Sequence, residues 1–260
     1  MAHRSDVLYL SPHLDDAVLS CGGRIWQETQ SGREVLVVTV FTGDPPADAN
    51  LTSFAQELHD DWELGHRAPR HRRAEDRVAL ETLGAEALHW EFLDCIYRVD
   101  STGENLYGDG DALWGPIHPA DSERIDAIVH QIERLIADRD PEIVVAPLGV
   151  GRHVDHRIVR QAAQQTMATQ ADGELIFFED YPYADEPEAV SQALEGGSYE
   201  SEIVHLGEEA LERKTNAIAQ YRSQISMLFE DLDEMVERTR AYASRVGEGA
   251  PAERYWRVAG

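Results

Sequence analysis

Cysteine is scarce in this sequence: Cys21 and Cys95 are the only two in 260 residues. Two cysteines cannot build the disulfide framework that stabilises small secreted domains. Isolated cysteines of this kind usually behave as small buried hydrophobic residues. We therefore expect both thiols to be free and buried.

Long apolar runs are missing as well. No uninterrupted apolar stretch approaches the roughly 20 residues that a transmembrane helix needs. The N-terminal segment MAHRSDVLYL has neither the longer apolar region nor the small-residue cleavage site of a signal peptide, and VLYL is better interpreted as a strand. These absences predict a cytoplasmic protein without a membrane span.

Positive charge is in short supply, and Lys214 is the only lysine. Forty-nine acidic residues face twenty-three basic ones, which gives a formal net charge of −26. A surface this negative repels the phosphate backbone of nucleic acids and anionic membranes. Composition therefore argues against nucleic acid as a partner, and it says nothing yet about chemistry.

The sequence does contain apolar, strand-like runs that alternate with amphipathic helical stretches. This alternation predicts an α/β fold, in which helices cover both faces of a mostly parallel sheet. The Gly- and Asp-rich segment Asp100–Asp111 is expected to be irregular and solvated. The predicted strands are Val7–Leu10, Glu34–Phe41, Leu88–Asp94, Glu142–Gly149 and Glu174–Asp180.

Polar clusters follow four of these strands, and ligands of such folds bind at the carboxyl ends of the strands. The clusters are HLDD, FTGD, DCIYR and GVGRHVDH, in chain order. Histidine and aspartate occur together in the first and the last of them. We therefore predict one shared site that joins these two clusters.

Asp15 and Asp16 are adjacent, and neighbouring carboxylates repel each other unless they are solvated or share a cation. His13, Asp16 and His156 form a set of three ligands that suits one Zn²⁺ ion with an open position for water. Asp15 is then free to act as a general base towards that water.

The second cluster offers further groups. His153 is a candidate for stabilising an oxyanion or for acting as a general acid, and Asp155 is expected to fix its tautomer. Each motif alone has a structural explanation, since an aspartate such as Asp155 also suits a helix N-terminus. Their joint position at strand ends favours the metal site.

Two other enzyme classes lack their motifs here. No GxGxxG follows the first strand, which argues against a dinucleotide-binding oxidoreductase. A phosphohydrolase that uses the DD pair is weaker too, because no DxDx[TV] nucleophile motif is present and no lysine lies nearby. A metal- or sugar-binding protein without catalysis stays open as an alternative.

The segment SPHLDDAVLSCGG resembles the PHxDD…GG signature of the PIG-L or LmbE-like zinc-dependent N-acetylglucosaminyl deacetylases, and RHVDH resembles their HxDH motif. The segments RRAED, FLDCIYR, KTNAIAQYRSQ and ERYWRV extend the resemblance over nearly the whole chain. Leu14, Ala17 and Val154 depart from the commoner PHPDDE and HPDH forms, but none of these positions supplies a ligand or the base.

The resemblance implies a Rossmann-like three-layer fold, with residues 1–260 forming a single LmbE-like domain that hydrolyses the N-acetyl group of an amino-sugar conjugate. It implies that Asp15 is the base and that Asp155 supports His153. It also places Arg72 and Asp94 near the substrate. The resemblance leaves open the aglycone, whether the chain forms a homo-oligomer, and whether Asp15 or His153 is the general acid. It also leaves open the native metal, which could be Zn²⁺, Fe²⁺, Co²⁺ or Mn²⁺.

Overall fold

The structure is a computed structural model that describes residues 5–46, 51–61, 68–170 and 172–259. Its strands are β1 (Val7–Ser11), β2 (Val35–Thr39), β3 (Glu86–His89), β4 (Ile143–Pro147), β5 (Glu174–Phe178), β6 (Tyr199–His205) and β7 (Ala252–Val258). Its helices are α1 (Asp16–Gln30), α2 (Ser53–Asp61), α3 (Ala68–Leu83), α4 (Gly110–Leu113), α5 (Ser122–Arg139), α6 (Val154–Met167), α7 (Pro187–Leu194), α8 (Glu208–Ile218), α9 (Arg222–Leu228) and α10 (Leu232–Val246).

The strands form one sheet in the order β3-β2-β1-β4-β5-β7-β6. The first five are parallel, and β1 and β2 are buried over their whole length, as strands covered on both faces must be. The strands β6 and β7 add an antiparallel edge that the sequence pattern does not predict. In β6 every side chain is exposed or half-buried, as expected of a strand at the edge of the sheet.

Helices cover both faces of the sheet, which confirms the predicted three-layer, Rossmann-like α/β fold. The helices α1, α3 and α8 pack against one another, and α5 packs against α6. Each parallel connection must cross from one strand end back to the start of the next, and a helix is the compact way to do so.

Two glycines let α1 pack closely against its neighbours. A Cβ atom on Gly22 would lie 3.0 Å from Cγ of Lys214, and one on Gly23 would lie 2.5 Å from Cδ1 of Leu206. Lys214 is buried, and its Nζ donates to Oε1 of Glu253 at 2.7 Å. The single lysine of the chain is therefore paired inside the fold, which offsets the cost of burying its charge.

The sheet changes direction between β1 and β4. From β1 the chain builds β2 and β3 on one side, and it returns to place β4 on the other side. Loops that leave two adjacent parallel strands in opposite directions open a crevice at their carboxyl ends. HLDD follows β1 and GVGRHVDH follows β4, so both predicted clusters lie at this crevice.

Two further expectations concern the cysteines and membranes. Cys21 and Cys95 are both buried and unpaired, as predicted. Within the part of the chain that the structure describes, no helix is both long enough and apolar enough to cross a bilayer.

Candidate metal centre and active site

The turn between β1 and α1 is held by its own side chains. The Ser11 hydroxyl donates to the carbonyl oxygen of His13 at 2.7 Å, and the His13 N–H donates to Oδ2 of Asp16 at 2.8 Å. Asp15, between them, has φ 145°, a conformation that costs a non-glycine residue about 1–3 kcal/mol. Strain of this kind collects at functional sites, where the surrounding structure enforces it.

The three predicted ligands meet at the crevice. Oδ2 of Asp16 lies 3.4 Å from Nδ1 of His13 and 3.3 Å from Nε2 of His156. Tetrahedral zinc with bonds of 2.0–2.1 Å needs donor atoms about 3.3 Å apart, so these two spacings fit the ion. Ring nitrogens of His13, His153 and His156 also lie within 4.8 Å of one another. The donor set can therefore hold a divalent metal, with His153 beside it.

Buried carboxylates orient both imidazoles that face Asp16. Nε2 of His13 lies 3.0 Å from Oδ2 of Asp155, and Nδ1 of His156 lies 2.6 Å from Oδ1 of Asp180. A nitrogen that donates its hydrogen to a carboxylate leaves the other ring nitrogen with its lone pair free. The free lone pairs belong to the two nitrogens that face Asp16, as metal ligation requires.

Asp180 is a functional residue that sequence reasoning missed. It lies just beyond β5, and its Oδ2 accepts the Val150 N–H at 2.8 Å. Its position at the carboxyl end of a strand is the one signal that could have marked it. Its partner His156 comes from another element, so only the folded chain shows the pair.

The two adjacent aspartates differ in protonation. Burial raises the pKa of Asp15 to about 7, although the Arg72 guanidinium, 3.6 Å away, opposes this shift. Burial acts in the same direction on Asp16, but the neighbouring His156 and His13 outweigh it and hold its pKa below the usual range. One carboxylate is thus suited to ligation and the other to proton transfer near neutral pH.

This difference predicts a pH-dependent stability of the metal-free protein. Because the pKa of Asp15 is higher in the folded state, the stabilising protonated form is lost as pH rises from about 4 to 7. Asp15→Asn should therefore raise the free energy of unfolding of the metal-free protein above pH 7. The expected gain is roughly 4 kcal/mol, because each pKa unit between the ordinary value and about 7 corresponds to about 1.4 kcal/mol.

Urea unfolding of both proteins at pH 4 and pH 8 measures this effect. The stability difference between them should be small at pH 4 and large at pH 8. An equal difference at both pH values would show that Asp15 ionises normally in the fold.

His153 is placed as a neutral hydrogen-bond donor. It caps α6, and its Nδ1 accepts the backbone N–H of Asp155 at 3.3 Å, so the neutral ring carries its hydrogen on Nε2. Burial and the neighbouring His13 and His156 lower its pKa well below the usual value. Its Nε2 lies 4.0 Å from Sγ of Cys95, and the ring lines the cleft, where a neutral imidazole can donate a hydrogen bond.

The expected role of Asp155 needs a correction. Its carboxylate does not support His153: Oδ2 binds Nε2 of His13 and accepts the Cys95 N–H at 3.1 Å. The backbone N–H of Asp155, not its side chain, fixes the His153 tautomer. The cap side chain accepts the N–H of the second helical residue, while the carboxylate of that residue binds His13.

Arg98, which sequence reasoning did not single out, connects this carboxylate to the rest of the fold. Its guanidinium lies 2.6 Å from Oδ1 of Asp155 and 3.1 Å from Oδ2 of Asp121, and all three side chains are fully buried. The Tyr107 hydroxyl donates to Asp121 at 2.7 Å. Tyr107 lies in Asp100–Asp111 and is buried, so the expectation of a solvated segment is wrong there. A buried cation between two carboxylates offsets the cost of burying all three charges.

Arg72 and Asp94, the predicted substrate-binding residues, both line the cleft above the donor set. Oδ2 of Asp94 lies 3.6 Å from Nε2 of His13, while its Oδ1 accepts the Ile96 N–H at 3.2 Å. Both side chains keep part of their surface accessible, so both can reach a ligand in the cleft.

The cleft has a volume of about 200 Å³ and is open to solvent. Its polar side chains gather around the donor set. Its apolar lining comes from several different elements: Leu19, Leu58, Ile96, Leu113, Pro182, Tyr183, Met227 and Leu228.

The family of this chain is identified by its similarity to known proteins. The sequence matches the family described as PIG-L, GlcNAc-PI de-N-acetylase, over residues 8–167, which is more than half of the chain. The chain belongs to the PIG-L family. This confirms the predicted resemblance, and the matched residues include both His/Asp clusters.

Relatives of this PIG-L protein include two 2′-N-acetylparomamine deacetylases. The one from Niallia circulans is 26% identical over 85% of this chain and 82% of the relative. The one from Streptomyces fradiae is 34% identical over 72% of this chain and 61% of the relative. Among solved structures, the zinc-inhibited form of teicoplanin deacetylase superimposes with a TM-score of 0.86, at 30% identity and 97% coverage of both chains. Deacetylation, the predicted activity, is the activity of all three.

Proposed function

We propose that this PIG-L protein is a zinc-dependent hydrolase that removes an N-acetyl group from a small amino-sugar conjugate, with one zinc ion per chain. The observation that carries this proposal is the single Asp16 oxygen between the two oriented imidazoles of His13 and His156, with Asp15 beside it. The deacetylase relatives support the choice of an acetamide as the bond that is cleaved.

Two nitrogen donors and one carboxylate oxygen fit zinc, although the same set also accepts Fe²⁺, Co²⁺ and Mn²⁺. Zinc, when bound by His13, Asp16 and His156, would polarise the amide carbonyl and lower the pKa of water. The residues of the chain itself supply the remaining chemistry.

Asp15 takes a proton from the attacking water, since its carboxylate lines the cleft beside the donor set without belonging to it. His153 donates from Nε2 to the carbonyl oxygen as negative charge develops there. A neutral imidazole would have to become an imidazolate to give this proton away. We therefore assign the protonation of the leaving amine to Asp15, which holds a proton after the first step.

Arg72 and Asp94 are proposed to bind the sugar, because both line the cleft next to Asp15 and His13. A guanidinium and a carboxylate can together bind a pair of neighbouring hydroxyl groups. The proposal treats residues 1–260 as one LmbE-like domain. Support comes from β7, which ends at Val258 and pairs between β5 and β6 inside the sheet.

Elemental analysis paired with an acetate-release assay tests this function. We expect about one zinc per chain, release of acetate from N-acetylglucosamine conjugates, loss of activity on chelation and recovery on adding zinc back. Bound zinc without acetate release from any conjugate would favour the alternative of a catalytically silent binding protein. Undiminished activity after complete removal of the metal would overturn the metal-dependent mechanism.

A further inference from the structure

The cleft has an apolar part that deacetylation of a simple sugar does not use. Eight lining residues are apolar, whereas the chemistry requires only the polar residues around Asp15 and Asp16. Apolar surface kept open beside a polar centre is typical of a binding site for an apolar ligand group.

Trp114 is the most conspicuous of the apolar side chains near the centre. It is 40% exposed, yet its indole ring makes edge contacts with the rings of His153 and Tyr183, at centroid distances of 5.3 and 5.5 Å. The indole therefore lies next to His153 and Tyr183, at the edge of the cleft that these two residues line.

The segment that carries Trp114 is held in place. The Asp109 side chain caps α4 by accepting the Ala112 N–H at 2.9 Å, and Leu113 is buried beneath it. Arg157, from α6, donates to the carbonyl oxygen of Gly115 on the other side of the tryptophan. Such anchoring presents an aromatic ring at little further entropic cost on binding.

Met227 adds a second exposed apolar side chain to the lining, with 38% of its surface accessible. It belongs to α9, whose first turn is tied to α3. The N–H and hydroxyl of Ser223 both donate to Glu75, at 3.0 and 2.6 Å. Methionine adapts to irregular apolar ligands because its side chain is flexible and polarisable.

We propose that the cleft selects amino-sugar conjugates that carry an apolar, ring-containing aglycone, and that Trp114 is the residue that determines this selectivity. The proposal rests on the proposed function and names the substrate class of the same site. The aglycone is the occupant because the polar residues around the donor set account for the sugar and its acetamide, and the apolar lining belongs to the same cleft. Stacking of a ring on the exposed indole would stabilise the complex.

Two probes that differ only in the aglycone test this: 4-nitrophenyl and methyl N-acetyl-β-D-glucosaminide. We expect zinc-loaded protein to prefer the aryl compound by about tenfold in kcat/KM. Trp114→Ala should remove this preference by raising KM for the aryl compound, so that the two compounds have similar kcat/KM values. Trp114→Phe should keep most of the preference, and Val99→Ala, at an exposed apolar position in a different cavity, should keep all of it.

Calorimetric titration of both compounds into zinc-loaded Asp15→Asn protein makes the inference independent of turnover. Tighter binding of the aryl compound supports the inference if it is lost when Trp114→Ala is added to the Asp15→Asn protein. This holds even if the unmodified protein hydrolyses neither compound, a result that would count against the proposed function alone. Equal binding of the two compounds overturns it. A Trp114→Ala variant that binds both compounds equally weakly also overturns it, since the indole would then only support His153. A variant that changes only the sedimentation coefficient does so too, since the indole would then serve a contact between copies of the chain.

Discussion

Replacing Asp15 by asparagine is expected to lower kcat by a factor of about 10² to 10⁴ while the metal stays bound. The amide keeps the shape of the carboxylate but cannot take a proton from water. Asp15 is not one of the three proposed metal donors, which are the Asp16 oxygen and the imidazole nitrogens of His13 and His156. Its replacement therefore leaves these donors in place. The variant therefore separates proton transfer from metal binding.

Acetate release and zinc content, measured on the same preparation, check this result. Asp138→Asn is the matched control, because its side chain is 67% exposed and lies in α5, away from the cleft. In the unmodified enzyme kcat should rise with pH as the base ionises, and the variant should lack this rise. A variant that keeps its metal and works near the normal rate would show that another group is the base.

Replacing His13 by alanine is expected to abolish stoichiometric zinc binding and, with it, activity. The substitution removes the Nδ1 donor that lies 3.4 Å from Oδ2 of Asp16. It also leaves the fully buried Asp155 carboxylate without the imidazole that now lies 3.0 Å away. Two remaining ligands cannot form the closed three-ligand set that zinc sites of this kind use.

A graded series makes the result specific. Asp155→Asn keeps the ligand but weakens its orientation, so zinc affinity should fall by about 10- to 100-fold rather than vanish. His130→Ala, at a 77% exposed position, should leave affinity unchanged. Competition with a chromophoric chelator measures all three variants. Equal zinc affinity in His13→Ala and the unmodified protein would remove His13 from the ligand set.

Much of the fold could be predicted from local pattern, because apolar runs of β-branched residues mark buried strands. The predicted strand Val7–Leu10 is β1, and the predicted Glu34–Phe41 contains β2. The antiparallel strands β6 and β7 were not predicted, since YESEIVH has neither a continuous apolar run nor a regular alternation and lies at a half-exposed edge. Their place in the sheet depends on pairing with distant strands, which no local pattern contains.

The candidate site divides in the same way. Residue type and spacing were enough to nominate His13, Asp15, Asp16, His153 and His156, because a metal ligand set is a property of donor chemistry. Sequence reasoning misassigned the Asp155 carboxylate and missed Asp180 and Arg98. These three act on partners from other elements, at distances that exist only after the strands have taken their order.

The sequence by itself determined which donors are available and that strand ends would present them, since both follow from side-chain chemistry and hydrophobic pattern. Only the tertiary structure decided that β1 and β4 are neighbours, and therefore that His13 and His156 meet at one aspartate oxygen. It also decided the protonation of each group. Two adjacent aspartates are equivalent in a chain, and burial, Arg72 and the two imidazoles make them different.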